Sequence, residues 1–145
     1  DHTKELEVTH FQLLPTFDHR SIDEIKLDQP QYIWGYDPLN YNVPEGCFST
    51  NPYDGKVRIR EFIEMVQSFH KAGIRVVLDV FYNHTGQTDD SNFNQLVPDY
   101  YYRKTVLGTF SDASACSNET ASEGEMMRKY ILNSVRHLIE VDYLD

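Results

Sequence analysis

Hydrophobic positions along the chain gather into four runs separated by two long polar stretches. The first run, "VTHFQLLP" at residues 8–15, is short, rich in β-formers and stopped by Pro15, and it predicts a buried strand. From Thr16 to Val57 the periodicity vanishes and Gly, Pro, Asn and Asp accumulate. That predicts a long connection without regular structure, of the kind that carries function. In "VRIREFIEMVQSFHKAG", Ile59, Phe62, Ile63, Val66 and Phe69 recur at helical spacing, with Arg58, Arg60, Glu61, Glu64 and Gln67 largely opposite. Gly73 suits the position just past the helix, where φ must be positive. The run "IRVVLDVFYN" follows at once and reads as a strand buried on both faces through Val76, Val77, Leu78 and Val80. Residues 85–121 form a second long loop. A last helix is predicted to start near Ser122, where Ser122 and Glu125 fit a capping box. Met127, Ile131, Ser134 and Leu138 line one side of it, and Tyr130, Val135 and Ile139 widen that stripe.

Strand, long loop, helix, strand, long loop, helix is the order of an α/β fold with parallel strands. Both long loops leave the C-terminal ends of the strands, whereas the return at Gly73 is tight. A (β/α) barrel and an open α/β sheet share this pattern, and both place their active site at the long-loop end. The chain has 145 residues, the size of one ordinary domain.

Composition narrows the partners. Formal net charge is −10, from 23 acidic and 13 basic residues, with no local cluster of Lys and Arg. Such a surface repels phosphate backbones, which argues against nucleic acid. No stretch approaches the roughly 18 consecutive apolar residues of a membrane span. "DHTKELEVTH" lacks a basic region followed by an apolar core, and the compartment stays open between cytoplasmic and secreted. Cys47 and Cys116 show no CxxC spacing and no clustering with His, so they are two thiols or one bridge, and zinc is disfavoured. Asn83 and Asn118 begin the acceptor tripeptides "NHT" and "NET", a pattern that often arises by chance.

Candidate chemistry sits after the second strand. Asp79 interrupts the apolar run, and a carboxylate there needs an Arg or several donors. It either pins loop backbone or orients a neighbouring catalytic group. Asn83 and His84 follow, and the trio matches no strong metal pattern. In "YIWGYDPLNY", Tyr32, Trp34, Tyr36 and Tyr41 stand among Asp37, Pro38 and Asn40. These rings either anchor the loop or make a sugar platform, on which a ring meets the C–H face of a pyranose while Asp and Asn take its hydroxyls. Three Tyr at 100–102 repeat the theme.

Read together, these motifs resemble the catalytic domain of type I pullulanases, in the α-amylase superfamily of glycoside hydrolases. "LDVFYNHT" is similar to the superfamily's first signature, and "YIWGYDPLNYNVPEGCFSTNP" to the pullulanase "YNWGYDP" element, with Ile33 where Asn is common. "VTHFQLLP" and "SACSNETASE" fit in the same order. The resemblance covers essentially residues 1–145. It implies a fragment of a (β/α)8 TIM barrel, roughly strands 2 and 3 with their helices, in a retaining enzyme that cleaves α-1,6-glucosidic linkages of pullulan and branched dextrins. Other members, such as isoamylases or glycogen branching enzymes, are the near alternative; a non-catalytic glucan-binding or structural fragment is the distant one.

Carried over by position, the resemblance makes Tyr36 the stacking platform and His84 a hydrogen-bonding partner of the same sugar. Asp79 supports an Arg and the nucleophile, and Asn83 organises its loop. Asp37 and Asn118 are candidates for lining the cleft. Calcium is possible in the intact enzyme, near Asn83. Two carboxyl groups are needed for retaining hydrolysis, and the resemblance puts them on later strands, beyond Asp145. No catalytic residue is then expected within the chain, which should be inactive alone. Its α-glucan partner is an oligosaccharide or polysaccharide, and its unpaired edges favour self-association.

Overall fold

The computed structural model describes residues 2–141. A short helix α1 (His2–Glu5) precedes strand β1 (His10–Leu13), strand β2 (Phe17–His19) and strand β3 (Pro38–Pro44). Helix α2 (Gly55–Lys71), strand β4 (Arg75–Leu78), a short helix α3 (Asn92–Leu96) and helix α4 (Glu125–Glu140) follow. β1 and β4 pair in parallel, His10 opposite Arg75 through Leu13 opposite Leu78. The parallel pair expected from the sequence is therefore formed. A second, antiparallel pair joins β2 to β3 with irregular register on both sides of Asp18. Among the described residues these two-stranded sheets do not close into a barrel, and the fold is mixed α/β.

Three expectations need correction. The stretch from Thr16 to Val57 is not structureless, because it holds β2, β3 and two single turns of tighter helix. Alternation fails to reveal β2, since Phe17, Asp18 and His19 are all buried. The run from Val76 to Val80 is not buried on both faces either, since Val76 is buried while Val77, Leu78 and Val80 are half-buried. In β1, expected as a buried strand, the accessibility alternates, with Gln12 exposed and Leu14 beyond it 66% exposed. An apolar cavity of about 530 Å³ between β1 and α2, lined by Phe11, Leu13, Pro15, Phe48, Phe62 and Met65, belongs to this open side. The capping box does not form. Helix α4 starts at Glu125 with Gly124 as its cap and no side-chain bond. A tight turn from Ala121 to Gly124 moves the start along, and Ser122 Oγ instead accepts from Arg103 Nη2 at 3.2 Å.

Helix α2 forms as its pattern requires. The Asp54 side chain accepts from the Lys56 N–H at 2.9 Å at the start. At the end Gly73 takes φ +79, its N–H bonds the His70 carbonyl, and the Ile74 N–H bonds the Phe69 carbonyl. That paired closure satisfies two orphan carbonyls and turns the chain straight into β4.

The core is aromatic. Val66 of α2 and Val76 of β4 are fully buried beside Phe17, Tyr41 and Leu138. Tyr41 is the hub, with Tyr82 stacked at 5.1 Å, Phe17 and Tyr130 edge-on at 5.8 and 5.7 Å, and Phe93 at 6.2 Å. Helix α4 contributes Met127, Ser134 and Leu138 from the side its stripe placed inward, and Ile131 of the same side is half-buried. Val135 and Ile139, which widened that stripe, are exposed. Both cysteines are free thiols. Burial, reinforced by Glu45, pushes the Cys47 thiol up to about 12 and keeps it protonated.

Candidate functional site

The end of β4 and the segment before β3 meet at one rim. The backbone of Asp79 extends the ladder by one bond, its N–H reaching the Leu13 carbonyl at 3.1 Å. Its carboxylate therefore projects at the C-terminal edge of the parallel pair, where the Tyr36 hydroxyl donates to it at 2.6 Å. That bond, with burial and the carboxylate charge behind it, raises the phenol above its ordinary pKa. Within the described residues it is Tyr36, rather than an arginine, that meets the Asp79 carboxylate.

His84 closes the arrangement from below. Its Nε2 lies 2.7 Å from the Tyr36 carbonyl oxygen, and its Nδ1 3.2 Å from Asn83 Oδ1. A carbonyl only accepts, so Nε2 carries the proton. The ring then presents a lone pair at Nδ1, and that nitrogen accepts from the Asn83 side chain once the amide turns its NH2 group inward. Phe81 stands against both partners, stacked on His84 at 5.0 Å and tilted against Tyr36 at 5.3 Å. Tyr36, Asp79, Asn83 and His84 are thus brought together, across 43 to 48 residues of sequence for the Tyr36 bonds. Phe81 was missed, and its place between the two polar signals is the clue that could have found it.

The two remaining candidates hold loops. Asp37 accepts the Ser21 N–H on Oδ2 at 2.6 Å, and its carbonyl accepts the Arg20 N–H. Asn118 is 1% exposed and faces no cleft in this structure. Its Oδ1 accepts the Thr85 N–H at 2.9 Å and its Nδ2 donates to the Thr85 carbonyl at 2.7 Å. Thr85 Oγ1 adds a contact to the Tyr102 hydroxyl at 2.6 Å, and the Tyr41 hydroxyl donates to the His84 carbonyl at 2.9 Å. The residue after His84 is therefore clamped from the second loop, and His84 itself from the core. Tyr41, a candidate platform ring, is a core residue.

Under the rim lies a pocket of charge that the sequence did not disclose. Asp18, Glu24 and Glu45 bring a carboxylate oxygen each within 4.8 Å of one another. Arg58 pairs with Glu24 at 2.5 Å, and both Glu45 oxygens are taken by the backbone N–H groups of His19 and Cys47. Burial raises the Asp18 carboxyl, the bond from Asn40 lowers it, and Glu45 and Glu24 raise it further, so that it stands above its ordinary value. Calcium takes six to eight oxygens. Among the described residues no three carboxylate, thiol or imidazole ligand atoms converge around Asn83, so the residues present do not assemble a calcium site there. Among the described residues no helix is long and apolar enough to cross a membrane.

No protein-family model matches the chain. Its sequence and its fold nevertheless match, over nearly the whole length, a stretch of starch-debranching glycoside hydrolases. These relatives are pullulanases, and the chain is a pullulanase-type segment. It is 41% identical over 140 residues to the Bacillus subtilis pullulanase, covering 96% of this chain and 19% of that protein. It superposes with a TM-score of 0.97 and 48% identity on the crystal structure of the Paenibacillus barengoltzii pullulanase complexed with maltohexaose and α-cyclodextrin, covering all of this chain and 23% of that one. The Bacillus acidopullulyticus pullulanase structure gives 0.93 and 43%, over 99% of this chain and 17% of that one. The chain thus spans about a fifth of the length of the first relatives it matches.

Proposed function

We propose that this chain is part of the catalytic barrel of a debranching α-glucan hydrolase acting on α-1,6-glucosidic linkages, and that its rim forms half of a glucose pocket. The observation that carries the reading is the closed constellation of Tyr36, Asp79 and His84, in which two hydrogen bonds and one shared ring fix a tyrosine face at the strand ends. A pyranose presents an apolar C–H face and a belt of hydroxyls, which suits a fixed aromatic plane ringed by polar groups. Tyr36 stacks, and His84 serves the same sugar through Nδ1 once Asn83 releases it. Asp79 holds the Tyr36 hydroxyl and lends its charge to groups facing it, Asn83 organises the loop, and Asp37 steadies the approach.

In this reading β1 and β4 are barrel strands 2 and 3, and residues 1–145 are a partial domain. The nucleophile and the acid/base of a retaining mechanism lie on later strands. The apolar cavity beside β1 is where neighbouring barrel elements, or a second copy of the isolated chain, would pack.

Maltotriose titration followed by NMR tests this reading. Shifts centred on Tyr36 and His84, abolished by Tyr36→Ala, are expected. Silence at both residues in millimolar sugar would overturn the pocket, and cleavage of pullulan by the pure chain would overturn the placement of the catalytic pair.

A further inference from the structure

We infer that Tyr32 and Trp34 form a second carbohydrate-stacking surface, outboard of Tyr36, which receives further units of the same α-glucan. The inference deepens the proposal for the Tyr36 rim and rests on it.

Within ten residues the chain sets four large rings at four depths. Tyr41 is buried and Tyr36 half-buried, whereas Tyr32 is 76% and Trp34 69% exposed. The outer two meet edge to face at 6.2 Å and 80°, which leaves the face of one ring open to solvent. Holding two large rings in water forgoes the free energy of burial, and adjacent exposed aromatics mark a surface that receives something.

The segment is exposed yet fixed at both ends. On one side Gln31 Oε1 accepts the Asp23 N–H at 2.8 Å, and Gln31 Nε2 donates to the carbonyls of Asp23 and Lys26 at 3.0 and 3.1 Å. On the other, Gly35 has φ +83, and a Cβ there would stand 3.0 Å from the Pro15 carbonyl and 3.3 Å from the His19 ring. A side chain at this position would be strained and crowded at once. The turn at Gly35 sits between Trp34 and Tyr36, the ring that Asp79 holds. Cα atoms two residues apart are separated by no more than about 7 Å, within the span of neighbouring sugar units, so the backbone sets the outer pair one turn away from the ring that Asp79 holds.

The chemistry selects the ligand. Indole and phenol pair an apolar face with a polar edge, matching the two-sided character of a pyranose. A chain of charge −10 suits a neutral ligand over an anionic one.

Trp34 is the single tryptophan of the chain, so its emission reports on this place alone. Maltohexaose is titrated while Trp34 fluorescence, its quenching by acrylamide and the NMR signals of Tyr36 and His84 are followed in parallel. The expected result is a saturable blue shift and reduced quenching, with Tyr32→Ala weakening the Trp34 response about threefold or more. Because Tyr32 is exposed, the far-UV spectrum of that variant should match the parent. If Tyr36 and His84 respond while Trp34 does not, the second surface is overturned and the pocket stands. If Trp34 responds alone, the pocket falls, and with it the reading of this surface as the pocket's extension. Silence at all three overturns both, and a full response in Tyr32→Ala overturns the pairing of the two rings.

Discussion

Tyr36 and Tyr41 lie five residues apart and do opposite work. Tyr41 is enclosed by Phe17, Tyr82, Phe93 and Tyr130, and burial raises its phenol far above the ordinary value. Tyr36 keeps one ring neighbour, Phe81, and a carboxylate partner, Asp79. The distinction between them is one of surroundings. A tyrosine ringed by other rings is cement, and a tyrosine held by one charged group at a strand end keeps part of its ring in solvent. An identical residue type thus separates into core and rim through a few bonds.

The sharpest break of that contrast is Tyr41→Ala. Removing the hub ring should cost about 3–5 kcal/mol of stability, by analogy with truncation of large buried rings, and urea unfolding measures it. Asn118→Ala comes next. It deprives the Thr85 N–H and carbonyl of buried partners, at about 1–3 kcal/mol, and should broaden the NMR signals of His84 before it alters those of Tyr41. Gly73→Ala, with φ held at +79, should cost about 1–2 kcal/mol in thermal unfolding and leave the rim unaltered.

Tyr36→Phe should change stability by about 1 kcal/mol or less, because its hydroxyl bonds at a partly open place. Maltotriose binding should survive that change and vanish in Tyr36→Ala. Smallest and most specific is Asp18→Asn. A carboxyl whose folded-state pKa is raised favours the fold below the unfolded value of 3.8 and loses that advantage as pH rises through the folded value. The variant should therefore unfold at a higher temperature than the parent at neutral pH, and the gap should close toward pH 4.

The parallel pair, helix α2 with its Gly73 closure and the buried side of α4 are legible because each rests on local periodicity or on a backbone position that one residue type fills best. The β2–β3 pair is not, since Asp18 and His19 are polar residues buried by partners 20 or more positions away. The rim was legible as chemistry, through the crowding of Asp79, Asn83 and His84 after an apolar run. Its geometry was not, because the bonds to Tyr36 cross 43 to 48 residues. Asn118 shows the limit most clearly: an amide reads alike in a binding cleft and in a buried clamp, and only the three-dimensional neighbourhood of Thr85 decides.

Arg103 carries a consequence of its own. Beyond Ser122 it engages Glu123 with two nitrogens, at 2.9 and 2.7 Å, and also meets Glu119. This joint between the second loop and the start of α4 is built from partly exposed opposite charges, the kind of contact that dissolved ions compete with. Ionic strength is then a dial on one part of the molecule: added salt should slacken residues 103–123 in hydrogen exchange while the greasy interior keeps its protection.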